Sequence, residues 1–200
     1  MKHPRPLAFV LAFALLAVAC GDDGTSATTG PTTTDGAAAT TTTIAGSELE
    51  GFARFGSGDY PFSMQYPEDW TVDPDNPGVV VMFLSPLTDG DQFSENVNVV
   101  VEDLGGADLT LDEYIGLAMA QLAPAIENFS LNDEFGDVMG GVDSWILTYS
   151  GTQNGLDITW VQEIAVFEGH AYIVTYTGTD EYLDHRPDAI AMFQSFEFHD

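Results

Sequence analysis

Between Val142 and Thr177 the chain repeats with a period of two. Trp145, Leu147 and Tyr149 alternate with Ile146, Thr148 and Ser150. Leu156, Ile158, Trp160, Gln162, Ile164 and Val166 alternate with Asp157, Thr159, Val161, Glu163, Ala165 and Phe167, and Tyr172, Val174 and Tyr176 alternate with Ala171, Ile173 and Thr175. Residues two apart share one face of a strand, and β-branched and aromatic side chains suit that surface, so the pattern predicts three strands. Asn154-Gly155 and Glu168-Gly169 stand between them and supply the positive-φ pairs that two-residue hairpins need. The stretch reads as an antiparallel meander.

The flanking pattern adds shorter strands and two helices. Gly51 to Arg54 and Tyr60 to Tyr66 read as strands joined by the turn Gly56-Ser57-Gly58-Asp59. Pro67 removes a ladder donor and ends the second of them, which lets Trp70 fold back onto the sheet. Asp73 to Gly78 is dense in turn formers, whereas Val79 to Leu84 is apolar throughout, as a strand buried on both faces requires. Val97 to Glu102 is the next strand, reached through the acidic polar loop Asp89 to Asn96. Thr110 and Glu113 have capping-box spacing ahead of the stripe Leu111, Tyr114, Ile115, Ala118 and Leu122, which predicts an amphipathic helix that Pro124 ends or kinks. Phe129 to Val138 is a further strand. Pro187 opens a second helix whose Ala189, Ile190 and Phe193 are expected to reach the core, and Phe196 and Phe198 form a last short strand. Strands in sequence with two interspersed helices predict an α+β domain, a central antiparallel sheet flanked by helices.

The pattern changes character before residue 48. Lys2 and Arg5 precede an apolar run from Leu7 to Ala19. As a helix this run would reach about 20 Å at ~1.5 Å per residue, short of the roughly 30 Å hydrocarbon core. It reads as a signal peptide over residues 1–19. Ala17-Val18-Ala19 places small residues directly before Cys20, the single cysteine, and this resembles the bacterial lipobox, in which the thiol is acylated and becomes the first mature residue. Ala17 stands where that motif usually has leucine, with Leu16 one step back. Cleavage at Ala-x-Ala with a free terminal thiol is the plainer alternative. Either way one cysteine forms no internal disulfide, so packing alone holds the fold. Residues 20–47 are rich in threonine, glycine and alanine without apolar periodicity. They read as a flexible tether with a span on the order of 30 Å, whose threonines are candidate sugar acceptors. Residues 48–200 form the expected domain.

Charge narrows the partners. The chain has 32 acidic residues against 4 lysines and arginines, a net charge of −28 at neutral pH, and beyond the signal segment only Arg54 and Arg186 are cationic. Nucleic-acid affinity comes from cations that neutralise phosphates, so this class is excluded, and an anionic lipid surface would repel the domain itself. Such self-repulsion points to a saline exterior that screens it, or to the steering of a basic partner.

Candidate chemistry is sparse. Gly56-Ser57-Gly58 lacks the spacing of a nucleophile elbow, and Cys20 is committed to the terminus. His170 begins a strand beside a turn, His185 precedes a proline and His199 is next to last, so none is paired at metal-site spacing. Trp145, Tyr149, Trp160, Tyr172 and Tyr176 could line a pocket, although strand spacing favours the core. Calcium needs clustered carboxylates. Asp73, Asp75 and Gly78 imitate the start of an EF-hand loop, but Pro77 and Leu84 occupy its fifth and twelfth positions; Asp89-Gly90-Asp91, Asp133-Glu134 and Asp180-Glu181 remain as weaker carboxylate pairs.

Phe62-Ser63-Met64-Gln65-Tyr66-Pro67-x-x-Trp70, Glu95 to Val100, Tyr149-Ser150-Gly151-Thr152 and Met192-x-x-Ser195-Phe196 resemble the PsbP-like superfamily over roughly Phe52 to Phe198. The resemblance implies an α/β/α sandwich on a central antiparallel sheet. It carries no shared catalytic site across and implies binding or scaffolding; members include an extrinsic subunit of photosystem II, a nuclear factor that binds a GTPase and many bacterial envelope lipoproteins of uncharacterised role. The expectation is therefore a lipid-anchored acidic module on the extracytoplasmic face of the cell membrane, not an enzyme and without cofactor. A protein partner in the envelope is expected to contact mobile loops such as Asp89 to Asn96. The alternative is a small-ligand or divalent-cation binder at the same location.

Overall fold

The computed structural model describes residues 48–87, 93–179 and 186–199. The signal segment, Cys20, the tether, Asp89-Gly90-Asp91, Asp180-Glu181 and His185 lie outside those residues.

The expected meander forms as β7 (Val142–Gln153), β8 (Leu156–Phe167) and β9 (His170–Thr179). Register follows from the turns. Asn154 and Gly155 take φ of 52° and 81°, Glu168 and Gly169 take 48° and 76°, and Gln153 pairs with Leu156 as Phe167 does with His170. Two consecutive positive φ values match the right-handed twist of the strands they join.

Four more strands extend this meander into a seven-stranded antiparallel sheet of order β3-β4-β5-β9-β8-β7-β6. They are β3 (Thr71–Asp73), β4 (Val81–Leu84), β5 (Asn96–Asp103) and β6 (Glu127–Met139). In β4, Val81, Met82 and Phe83 are all buried, which matches the uninterrupted apolar run. β3 was not expected, because only two residues, Thr71 and Val72, separate Trp70 from the turn formers that begin at Asp73.

The remaining strands correct the expectation of one sheet. β1 (Phe52–Gly56), β2 (Phe62–Pro67) and β10 (Glu197–Phe198) form a separate three-stranded sheet of order β1-β2-β10. Pro67 is the last residue of β2 and pairs with Phe52. Arg54 knits this sheet together by donating to Glu197 Oε2 at 2.7 Å and to Ser63 Oγ at 2.9 Å. With α2 (Arg186–Gln194) it covers one face of the large sheet, packing Phe62, Met64, Phe196, Met192 and Phe193 against Val97, Val174, Tyr172 and Tyr176. Ile190 is 47% exposed; the buried stripe of α2 is Ala189, Met192 and Phe193. A helix this short presents about one apolar stripe to the core, and Ile190 lies off it.

The other face is closed by α1 (Leu111–Ala125), which buries Tyr114, Ala118 and Leu122 against Leu147, Tyr149, Trp160 and Ile164. Thr110 caps it as the sequence predicts, accepting from the Glu113 amide at 3.3 Å while its own amide donates to Glu113 Oε2 at 3.0 Å. That backbone hydrogen bond to Thr110 lowers the Glu113 pKa. The helix runs one residue past Pro124 and stops at extended Ile126. Gly151 of β7 makes room for this stop, since a Cβ there would collide with the Ile126 side chain and lie 2.8 Å from the Glu127 carbonyl.

Candidate functional site

The large sheet ends on one side in the three residues of β3 and on the other in the long β6. Every residue of β6 except Phe129 and Met139 is exposed. Its pairing with β7 shifts register between Glu127 and Ser130 and again between Leu131 and Asp133, then runs regularly from Asp133 opposite Thr148 to Met139 opposite Val142. Among the described residues β7 is the strand that pairs with β6, so alternate backbone N–H and C=O groups of its regular part face away from the sheet.

Three apolar side chains stand out on this edge, with Leu131 38%, Phe135 45% and Val138 59% exposed. Carboxylates alternate with them at Asp133, Glu134 and Asp137. The register puts Glu134, Gly136 and Val138 on the face that carries α1, and Asp133, Phe135 and Asp137 on the opposite face. Where the β6–β7 hairpin meets the start of α1, a hollow of about 600 Å³ opens among Leu111, Asp112, Val138, Asp143 and Trp145. The half-buried Trp145 ring leans over Gly136, whose missing Cβ would sit 3.5 Å from Trp145 Cζ3, and the indole Nε1 donates to Glu134 Oε2 at 3.3 Å. Neither Arg54 nor Arg186 lines the hollow.

Beneath the hairpin, Ser144 donates to Glu163 Oε1 at 2.7 Å. Glu163 is only 3% exposed. Burial raises its pKa, the Ser144 hydrogen bond works against that rise, and the nearby Asp137 charge adds to it. On the α1 face, Tyr114 donates to Glu102 Oε2 at 2.8 Å; burial raises the Glu102 pKa, and burial followed by the Glu102 charge pushes the Tyr114 phenol up strongly.

The residues that the sequence offered for chemistry are dispersed. His170 Nδ1 is 3.1 Å from the Glu168 carbonyl and its ring stands 5.9 Å from Tyr60, while the His199 amide donates to Pro61. Asp73 closes a local turn by accepting from the Asp75 amide at 3.1 Å. Among the described residues no three His, Cys, Asp or Glu side chains are grouped to hold a metal ion, and no helix is long and apolar enough to cross a membrane. The five aromatic candidates divide between the two faces. Tyr149 and Trp160 stack at 5.4 Å under α1, Tyr172 and Tyr176 lie in the opposite core, and Trp145 alone of the five reaches the hollow. The described end of the loop expected to make contacts is interior: Phe93, Glu95 and Asn96 are buried, and the Ser94 hydroxyl donates to the Ser85 carbonyl at 2.6 Å. Sequence reasoning missed the β6 edge, although a strand with polar residues at both parities from Ser130 to Asp137 is the signature of exposure on both faces.

This architecture is the PsbP-like fold. It resembles LpqN of Mycobacterium tuberculosis, a protein involved in cell envelope biogenesis, with a TM-score of 0.59 and 15% identity over 74% of this chain and 91% of that one. It also resembles cyanobacterial PsbP from Synechocystis sp. PCC 6803, with a TM-score of 0.57 and 16% identity over 78% of this chain and 98% of that one. No family model and no curated protein matches the sequence. Several residues that carry the sequence resemblance sit at packing joints. The Gln65 amide donates to Ser195 Oγ at 2.8 Å, Ser195 donates to the Met192 carbonyl at 2.7 Å, Tyr176 donates to Glu95 at 2.7 Å, and Gly151 admits Ile126. Those motifs hold α2 on the small sheet and α1 on the large one.

Proposed function

We propose that this chain is a non-enzymatic binding module of the cell envelope, exported and held at the extracytoplasmic face by lipid on Cys20. The observation that carries the binding role is the β6 edge, where Phe135 and Val138 remain exposed beside an acidic hollow. An unpaired strand edge with exposed apolar side chains is a recurrent template for partner chains. The small residues before Cys20 support the anchor, and the fold shared with LpqN, a protein of envelope biogenesis, supports the location. The tether over residues 20–47 would then hold the domain clear of the headgroups.

Two measurements in intact cells test this reading. Metabolic fatty-acid label enters the chain and is lost in Cys20→Ala; label that survives the substitution refutes the anchor. A photoreactive residue in place of Phe135 captures one envelope protein reproducibly, while the same residue in place of Thr71, on the opposite edge, does not. Equal capture from both edges, or none from Phe135, overturns the binding surface.

A further inference from the structure

We infer that the free edge of β6 takes up an extended cationic segment of a partner protein as an added antiparallel strand, with an arginine of that segment laid on Trp145 across Gly136. The inference rests on the binding-module reading and specifies its partner by chemistry. The regular ladder from Asp133 to Met139 turns alternate backbone groups away from β7; the Glu134 and Val138 amides of this stretch donate to Asp133 Oδ1 at 3.0 Å and Asp137 Oδ1 at 2.9 Å, local bonds that an added extended peptide would replace with ladder bonds whatever its sequence. Selection must come from side chains. On one face an incoming strand meets Asp133, Phe135 and Asp137, and on the other Glu134, Val138 and the gap at Gly136. Through that gap the Trp145 ring is the nearest surface, and Glu134 already accepts from its indole. A guanidinium there gains an aromatic face and a carboxylate together.

Charge decides among occupants. A second copy would bring its own Asp133, Glu134 and Asp137 against the same residues, and each chain carries a net charge of −28. The chain's own residues 21–47 contain Asp22, Asp23 and Asp35 and no cation, so they offer nothing to these carboxylates. Anionic lipid and nucleic acid are repelled for the same reason. A basic strand with aliphatic residues opposite Phe135 is the complementary occupant.

The test uses the full lipidated chain in non-ionic detergent micelles and a blocked, dye-labelled heptapeptide of alternating valine and arginine, read by fluorescence anisotropy. Binding is expected at 0.1 M salt and should weaken at least tenfold at 0.5 M, and replacing every arginine by glutamate should abolish it. Glu134→Lys should weaken binding about tenfold, whereas Asp59→Lys, in the β1–β2 turn, should leave it unchanged. Methylating the amides of one alternating set of peptide residues should abolish binding, while methylating the other set leaves it, because one edge of the peptide pairs with β6. Equal effects of the two methylations, or equal binding of the glutamate peptide, overturn the inference. If the peptide fails while Phe135 still captures a protein in cells, strand addition falls and the binding module stands; if both fail, both fall.

Discussion

Ser144 and Glu163 form a buried hydrogen bond of 2.7 Å directly beneath the β6–β7 hairpin. The carboxyl is removed from water with this hydroxyl as its neighbour across the strands, and Asp137 adds like charge from the rim of the hollow. Burial therefore makes the charged form of Glu163 a liability that one hydroxyl only partly offsets.

The pH dependence has a definite sign. With its pKa raised by folding, Glu163 keeps its proton in the native state at pH values where the unfolded chain has released it. Its contribution is most favourable below the ordinary carboxylate range and is lost as pH climbs from that range through the raised folded value. Glu163→Gln should accordingly be more stable than the parent at pH 7, by about 2–4 °C in Tm for each kcal/mol recovered, with the advantage vanishing in acid. Ser144→Ala should cost about 1–3 kcal/mol at pH 7 and less in acid. Melting curves across pH check both, and a Glu163→Gln chain no more stable than the parent at neutral pH contradicts the account.

Gly140 and Gly141 separate two contributions at the tip of the hairpin. Both have positive φ, 56° and 88°, but a Cβ on Gly140 would lie 2.9 Å from Phe198 Cδ2 and 3.1 Å from the Phe198 amide, whereas one on Gly141 meets nothing within 4 Å. Gly140 also bridges Glu197 of the small sheet. Gly141→Ala should cost only the left-handed backbone penalty, about 1 kcal/mol, and Gly140→Ala roughly 1–2 kcal/mol more as the hairpin is pushed off β10. Denaturant titrations measure the difference, and equal losses would contradict the docking of hairpin on strand.

The net charge of −28 makes the folded chain repel itself, and the screening length falls from ~10 Å at 0.1 M salt to ~3 Å at 1 M. The Arg54–Glu197 pair at 2.7 Å, with side chains 26% and 30% exposed, is weakened by the same salt, but such a pair contributes about 0–1 kcal/mol. Tm should therefore rise with sodium chloride. A flat response would contradict surface repulsion as a significant cost of folding.

Local chemistry made much of the fold legible. The meander was readable because Asn154-Gly155 and Glu168-Gly169 fix both turn and register, and α1 because Thr110 and Glu113 cap a regular apolar stripe. The small sheet was not, since β10 is two residues long and its pairing with β2 joins Phe198 to Phe62, distant in sequence. The outward turn of Ile190 follows from which residues of α2 meet β2 and β9, a tertiary choice that local periodicity does not encode. The hollow was hidden for the same reason. It exists only because α1 starts beside a hairpin more than twenty residues further along, so Asp112 and Asp143 become neighbours through packing alone.

The central claim is that the open side of β6 is covered in the envelope. Amide hydrogen exchange of the chain in isolated envelope vesicles, compared with the same chain in detergent, tests it most directly. The account predicts slower exchange from Asp133 to Met139 in the vesicles with no change from Thr71 to Asp73. Identical exchange of β6 in the two preparations would contradict it.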